Sequence, residues 1–335
     1  MNIDLRSDTV TKPSAEMLKV MMNAEVGDDV FNEDPTVNKL QEKTAALFGM
    51  EAGLFCASGT MTNQLAIKAH TQPGEEVICD MNSHIYHHET GGMAFNSGVQ
   101  AKLLPGDRGR LNAKQIEAAI NPDFDWLTAT SLVSLENTVN KAGGSYYELN
   151  EIKKISEMCR EKKLKFHLDG ARIFNALVET GEQPKQYGEL FDSISVCLSK
   201  GLGAPVGSLI LGKKDFIKKC RRFRKTFGGN MRQAGYLAAA GIYALDNNVS
   251  RLKEDHAKAK AIANALTKVS YVKNVLPAET NIVIFDLDDT MPMEQFVKKM
   301  NEHGIKFAPF GPQTVRFVTH LDFTDEMLEI VLKSF

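Results

Sequence analysis

Short apolar runs, each bounded by Gly, Pro, Asp or Asn, punctuate most of the chain. They are Ala52–Ala57, Glu76–Cys79, Leu127–Leu135, Lys165–Leu168, Ser193–Leu198 and Ser208–Leu211. Their lengths and flanking turn residues mark them as strands. Helical stretches lie between several of them, Leu149–Lys162 among these. Earlier, Ser14–Asn23 and Pro35–Phe48 carry apolar residues at helical spacing, the first capped by Ser14 and the second stopped at Gly49. Strand and helix in alternation leave one economical arrangement, a mostly parallel sheet with helices on both faces.

After about residue 233 the texture changes. Gln233–Val269 reads as one long helical stretch, and Asn281–Asp286 and Thr314–Thr319 read as strands around a helix at Met293–His303. The expected division is an N-terminal arm at 1–13, a large domain at 14–245 and a small α+β domain at 246–335. The 335 residues suffice for such a division, and 43% hydrophobic residues can fill its cores. Lys plus Arg total 40 against 42 Asp plus Glu, so no excess positive charge recruits nucleic acid or an anionic membrane. The five cysteines form no C-x-x-C pair, which fits reduced thiols in a cytoplasmic protein. No apolar stretch approaches the ~20 residues that span a bilayer, and the start lacks a signal-peptide pattern.

Two strand ends carry charge. Asp169 closes Phe166-His167-Leu168-Asp169, where ligands meet an open α/β sheet. A carboxylate there needs a cation or a protonated ring nitrogen. Arg172 lies three residues on and supplies the plain alternative, a structural ion pair. Lys200 follows Ser195–Ser199 in the same way. A partly desolvated amine is a good Schiff-base nucleophile, although a lysine reaching out of a strand end is commonplace. Gly201–Gly207 reads G-x-G-x-x-x-G and is followed by Ser208–Leu211, a strand. A dinucleotide fingerprint requires a helix there, so a Rossmann dehydrogenase is rejected. Ser58, Gly59 and Thr60 instead lead from a strand into a helix, which makes an anion site or a simple N-cap.

His84, His87, His88 and Glu89 cluster at helical spacing without a zinc motif, so no metal is assigned. One of these imidazoles is a candidate to stack on a heteroaromatic ring. Arg316 sits inside the apolar strand Val315–Thr319 and wants a carboxylate, from the protein or from a substrate. A Schiff-base lysine, a carboxylate for a ring nitrogen, a phosphate cradle and a carboxylate-binding arginine together match pyridoxal 5'-phosphate with an amino-acid substrate.

Motifs along almost the whole chain carry a resemblance. They include Ile3-Asp4-Leu5-Arg6-Ser7-Asp8-Thr9-Val10-Thr11, Val26–Val30, Glu33-Asp34-Pro35-Thr36, Ser58-Gly59-Thr60, Glu136-Asn137-Thr138, Asp169–Ala176, Cys197–Leu202, Met231-Arg232-Gln233 and Val318-Thr319-His320. The chain resembles the low-specificity L-threonine aldolases, within the aspartate-aminotransferase-like (fold type I) pyridoxal-phosphate enzymes. The resemblance implies a seven-stranded central sheet and a homodimer or homotetramer with shared sites. It implies that Lys200 holds the cofactor as an internal aldimine and that Asp169 keeps the ring nitrogen protonated. Ser58, Gly59 and Thr60 would hold the phosphate, with Arg232 reaching it from a partner subunit. His84 would stack on the ring and is the candidate base. Arg172 would face the ring hydroxyl, and Ser7, Arg172 and Arg316 would hold the substrate carboxylate. The implied reaction is retro-aldol cleavage of L-threonine or L-allo-threonine to glycine and acetaldehyde, through an external aldimine and a delocalised glycine carbanion.

Three positions depart from the family pattern. Val139 replaces a histidine thought to lie near the β-hydroxyl, Phe31-Asn32 replaces Tyr-Gly, and Asn230 replaces a glycine. The first two keep alive a β-eliminating lyase or an aminotransferase acting on another β-hydroxy amino acid. A non-catalytic relative is disfavoured by the intact Lys200, Asp169 and Arg172.

Overall fold

The computed structural model describes residues 2–335. Its strands are Ile3–Asp4 (β1), Ala52–Cys56 (β2), Glu76–Asp80 (β3), Gln100–Leu104 (β4), Thr130–Glu136 (β5), Lys165–Gly170 (β6), Ser193–Cys197 (β7), Ser208–Gly212 (β8), Val272–Val275 (β9), Ile282–Leu287 (β10), Ile305–Lys306 (β11), Ala308–Pro309 (β12) and Thr314–Val318 (β13). Seven of them form the central sheet in the order β2-β8-β7-β6-β5-β3-β4. Only β8 runs against the others, antiparallel to both β7 and β2. Two reversals restore direction, so β2 points the same way as β7. The carboxyl ends of β2, β3, β5, β6 and β7 therefore meet at one edge.

Burial explains why the strands read as apolar runs. Every residue of β3, β7 and β8 is buried, as expected for a sheet covered on both faces. The strand β4 is only half-buried, at the sheet edge, and its weak apolar character is why it does not stand out in the sequence. The helix Ala15–Met22 is capped by the Ser14 side chain, and Pro35–Phe48 ends on left-handed Gly49.

A smaller antiparallel sheet, β12-β13-β10-β9, has its own core around Phe285, Phe296, Phe317 and Val315. The start of the chain joins it: β1 pairs in parallel with β11, and Ile3 and Leu5 pack into that core. The long helical stretch expected over Gln233–Val269 is two helices, Gly235–Asn247 and Leu252–Leu266. Asn248 makes the break. Its side-chain amide turns away from the helix and donates to the Leu202 carbonyl at 2.7 Å, which ties the corner to the loop that follows Lys200.

Candidate active site

The ends of β2, β3, β6 and β7 converge on one pocket. It is lined by Gly59, Thr60, Asn63, His84, Asp169, Ala171, Cys197, Ser199 and Lys200. Lys200 leaves the end of β7 half-buried, and its carbonyl accepts from the Gly203 amide at 2.8 Å. Asp169 is buried near the end of β6. One of its oxygens accepts from the Asn63 side chain at 2.9 Å and the other from the Ala171 backbone at 3.1 Å. Arg172 is not its partner.

The helix Gly59–His70 starts where β2 ends. The Ser58 hydroxyl accepts from the Met61 amide at 3.1 Å, so its acceptor serves as a helix cap. Gly59 is required by space. A Cβ there would stand 2.5 Å from the Cys197 sulfur. The backbone thus runs close to Cys197 in the pocket lining, and a helix start of this kind suits a phosphate. The helix start, the lysine amine and the Asp169 carboxylate fit pyridoxal phosphate.

Beyond β3, His84 opens a short helix, His84–His87. Its Nδ1 lies 2.9 Å from Glu89 Oε1, and its backbone N–H donates to Glu136 Oε2 at 2.7 Å. Burial works against a charge on His84, but the Glu89 hydrogen bond and the nearby Asp169 more than offset it, and the imidazole is shifted upward. Glu89 is buried and accepts also from Asn63 at 2.8 Å and Gln64 at 2.6 Å. His84, Glu89 and Asp169 bring ligand-type atoms within 4.8 Å of one another. Amide donors from Asn63, Gln64 and Ala171 already serve the two carboxylates, so the cluster is a hydrogen-bond network. Sequence reasoning did not single out Asn63 or the role of Glu89. Asn63 lies four residues after Gly59, one turn along the same helix face, and that spacing was the available signal.

The arginines divide. Arg172 places Nε and Nη2 on the two oxygens of Asp8 at 2.7 and 2.6 Å, leaving Nη1 toward Asn140 at 3.4 Å. Arg316 has no ion-pair partner among the described residues. Its Nη1 meets Asn140 Oδ1 at 3.0 Å, its Nη2 meets the Arg6 carbonyl at 3.1 Å, and its Nε is buried without a partner. The guanidinium lies 4.7 Å over the Phe310 ring. Burial and the Arg172 charge push its pKa down to about 10. No carboxylate among the described residues pairs with this mid-strand arginine, and a guanidinium fork suits a bidentate one.

Ser7, Arg232 and Val139 do not line this pocket. The Ser7 hydroxyl accepts from the Thr9 amide at 3.2 Å, beside Asp8. Arg232 is exposed and bound to Asp28 at 2.8 Å, and it does not line the pocket. Val139 is buried.

The β-eliminating lyase family model matches residues 4–290. The low specificity L-threonine aldolase of Escherichia coli (strain K12) is 44% identical over 329 residues, covering 97% of this chain and 96% of the relative. The chain belongs to the low-specificity L-threonine aldolase family. The low-specificity L-threonine aldolase 1 of Arabidopsis thaliana agrees, with 40% identity over 341 residues, 100% of this chain and 95% of the relative. Among solved structures, the threonine aldolase of Leishmania major shares the fold, with a TM-score of 0.85 at 22% identity over 99% of this chain and 98% of that one. The family membership makes the protein a lyase that uses pyridoxal phosphate.

Proposed function

We propose that this enzyme cleaves L-threonine and L-allo-threonine between Cα and Cβ, giving glycine and acetaldehyde. The observation that carries the reading is Arg316, a half-buried guanidinium with no ion-pair partner among the described residues and a buried, unpartnered Nε, beside the network that leads to the cofactor pocket. Identity to aldolases named for low specificity on threonine supports both substrates.

The residues then have these parts. Lys200 would hold the cofactor covalently through its amine. Asp169 holds a proton at the ring nitrogen, with Asn63 and the Ala171 amide keeping its carboxylate in place. Gly59 and Thr60 hold the phosphate at the helix start. Pyridoxal phosphate, when bound, supplies an electron sink for the charge left at Cα. His84, in the lining of the pocket, would face the ring. Arg316 grips the substrate carboxylate, with Arg172 and Ser7 nearby, and so fixes the direction in which the Cα–Cβ bond points. Water is kept from Asp169 by its burial. Because Glu89 favours the protonated form of His84, the β-hydroxyl proton needs a second acceptor.

The assembly proposed is a homodimer or homotetramer with sites completed between subunits. Arg232 supports it, standing exposed and away from its own pocket. Exposed Phe31 and Phe95 offer apolar contact surface. The location proposed is the cytoplasm, in keeping with five free cysteines. No helix among the described residues is long and apolar enough to cross a membrane.

The test is acetaldehyde release from each substrate with added cofactor. A keto acid in place of acetaldehyde plus glycine would assign the chain to the β-eliminating lyase chemistry instead.

A further inference from the structure

A retro-aldol cleavage needs a base for the β-hydroxyl, and position 139 offers none. Val139 is 1% exposed and belongs to the main core. It presses on Gly109, where an added Cβ would stand 2.5 Å from Val139 Cγ1. His84 has its Nδ1 committed to Glu89.

A second imidazole stands beside it. The His88 ring centre is 5.4 Å from that of His84, the planes tilted by 49°. The His88 backbone N–H donates to the His84 carbonyl at 2.9 Å, so the two rings hang from one turn of chain. His87 is occupied, with Nε2 2.8 Å from the Met81 carbonyl. No hydrogen bond within the described chain engages either ring nitrogen of His88. Its side chain is exposed beside the pocket-lining His84, and the charged and titratable groups that act on it are His84, Lys141, His87 and Arg316.

We infer that His88 is the catalytic residue that accepts the β-hydroxyl proton, and that it sets the preference between threonine diastereomers. This rests on the aldolase reading. The proton passes from the hydroxyl oxygen to a free nitrogen of His88. The O–H electron pair becomes the second bond of the aldehyde carbonyl as the Cα–Cβ bond breaks. The Cα–Cβ pair stays at Cα, and a proton taken up there gives glycine. The neighbouring imidazoles divide the work: partial burial and the surrounding cations lower the His88 pKa, keeping it a neutral acceptor, while Glu89 raises that of His84.

The experiment compares the wild-type holoenzyme with His88→Phe, which keeps a flat ring without nitrogens, and with His87→Phe as control. Acetaldehyde release is followed from both diastereomers across pH. Binding of glycine, which lacks a β-hydroxyl, is followed by the cofactor absorbance. His88 titration is followed by NMR. The expected result for His88→Phe is a fall in kcat of about 100-fold or more, a changed diastereomer ratio and unchanged glycine binding. His87→Phe should match the wild type, and the imidazole signal lost in His88→Phe should titrate below the ordinary histidine range. Wild-type release undiminished in His88→Phe would overturn the assignment alone. No acetaldehyde from the wild type would overturn the aldolase reading and this assignment with it.

Discussion

Arg172 holds Asp8 through two parallel hydrogen bonds of 2.7 and 2.6 Å, across 164 positions of sequence. Both side chains are buried. The pair fastens the N-terminal segment to the loop after β6, beside Asp169. Asn281 also reaches Asp8, at 3.3 Å, so the same carboxylate touches the strand region that carries the small sheet.

Asp8→Asn should destabilise the protein by about 3–5 kcal/mol at neutral pH, because it leaves a buried guanidinium uncompensated. Burial alone would raise the Asp8 carboxyl, but Arg172 more than offsets it and holds it well below its ordinary 3.8. A depressed folded pKa gives stability that is present above the unfolded value and lost as pH falls through the folded one. The difference between wild type and Asp8→Asn should therefore shrink as pH falls below about 4. Urea unfolding over pH 3–7 checks this, and a pH-independent difference would contradict the assignment.

Glu136 works in the opposite sense. It is buried and accepts the backbone N–H groups of both His84 and Asn140, at 2.7 and 2.8 Å. Burial and the adjacent Asp169 push its carboxyl up to about 7. Between its ordinary 4.5 and that value the folded chain keeps a proton that the unfolded chain releases. This contribution is complete below about 4.5 and is lost as pH rises through about 7. Glu136→Gln should lack that slope, so the wild type should lose on the order of 1–3 kcal/mol relative to it across the window. Parallel pH-dependent stabilities measure it, and equal slopes would show that Glu136 is ionised throughout.

Arg316→Ala should raise KM for the amino acid by about 10-fold or more while cofactor absorbance stays intact. Steady-state kinetics on L-threonine checks it. Unchanged KM and kcat would make Arg316 structural, its Asn140 and Arg6 contacts being its whole purpose.

Six of the seven strands of the large sheet, and the two charged strand ends, were legible because each is local. A buried strand announces itself by composition, and Asp169 and Lys200 interrupt that composition at its end. Helix caps at Ser14 and Gly49 were legible for the same reason. What the chain does at a distance was not. Nothing near Arg172 in sequence points to Asp8, and Arg172 followed Asp169 closely enough to suggest the wrong partner. Glu89 draws three donors, two of them from a helix that precedes it by about one strand and one turn. The break at Asn248 depends on a carbonyl at Leu202, which no helical periodicity reveals.

The central claim is a lysine-bound cofactor that breaks the Cα–Cβ bond of threonine. Acetaldehyde release from L-threonine and L-allo-threonine, with added pyridoxal phosphate, tests it most directly when wild type and Lys200→Ala are run in parallel. The account predicts acetaldehyde and equimolar glycine from the wild type and none above background from Lys200→Ala. Full activity in Lys200→Ala, or a keto acid in place of acetaldehyde from the wild type, would contradict it.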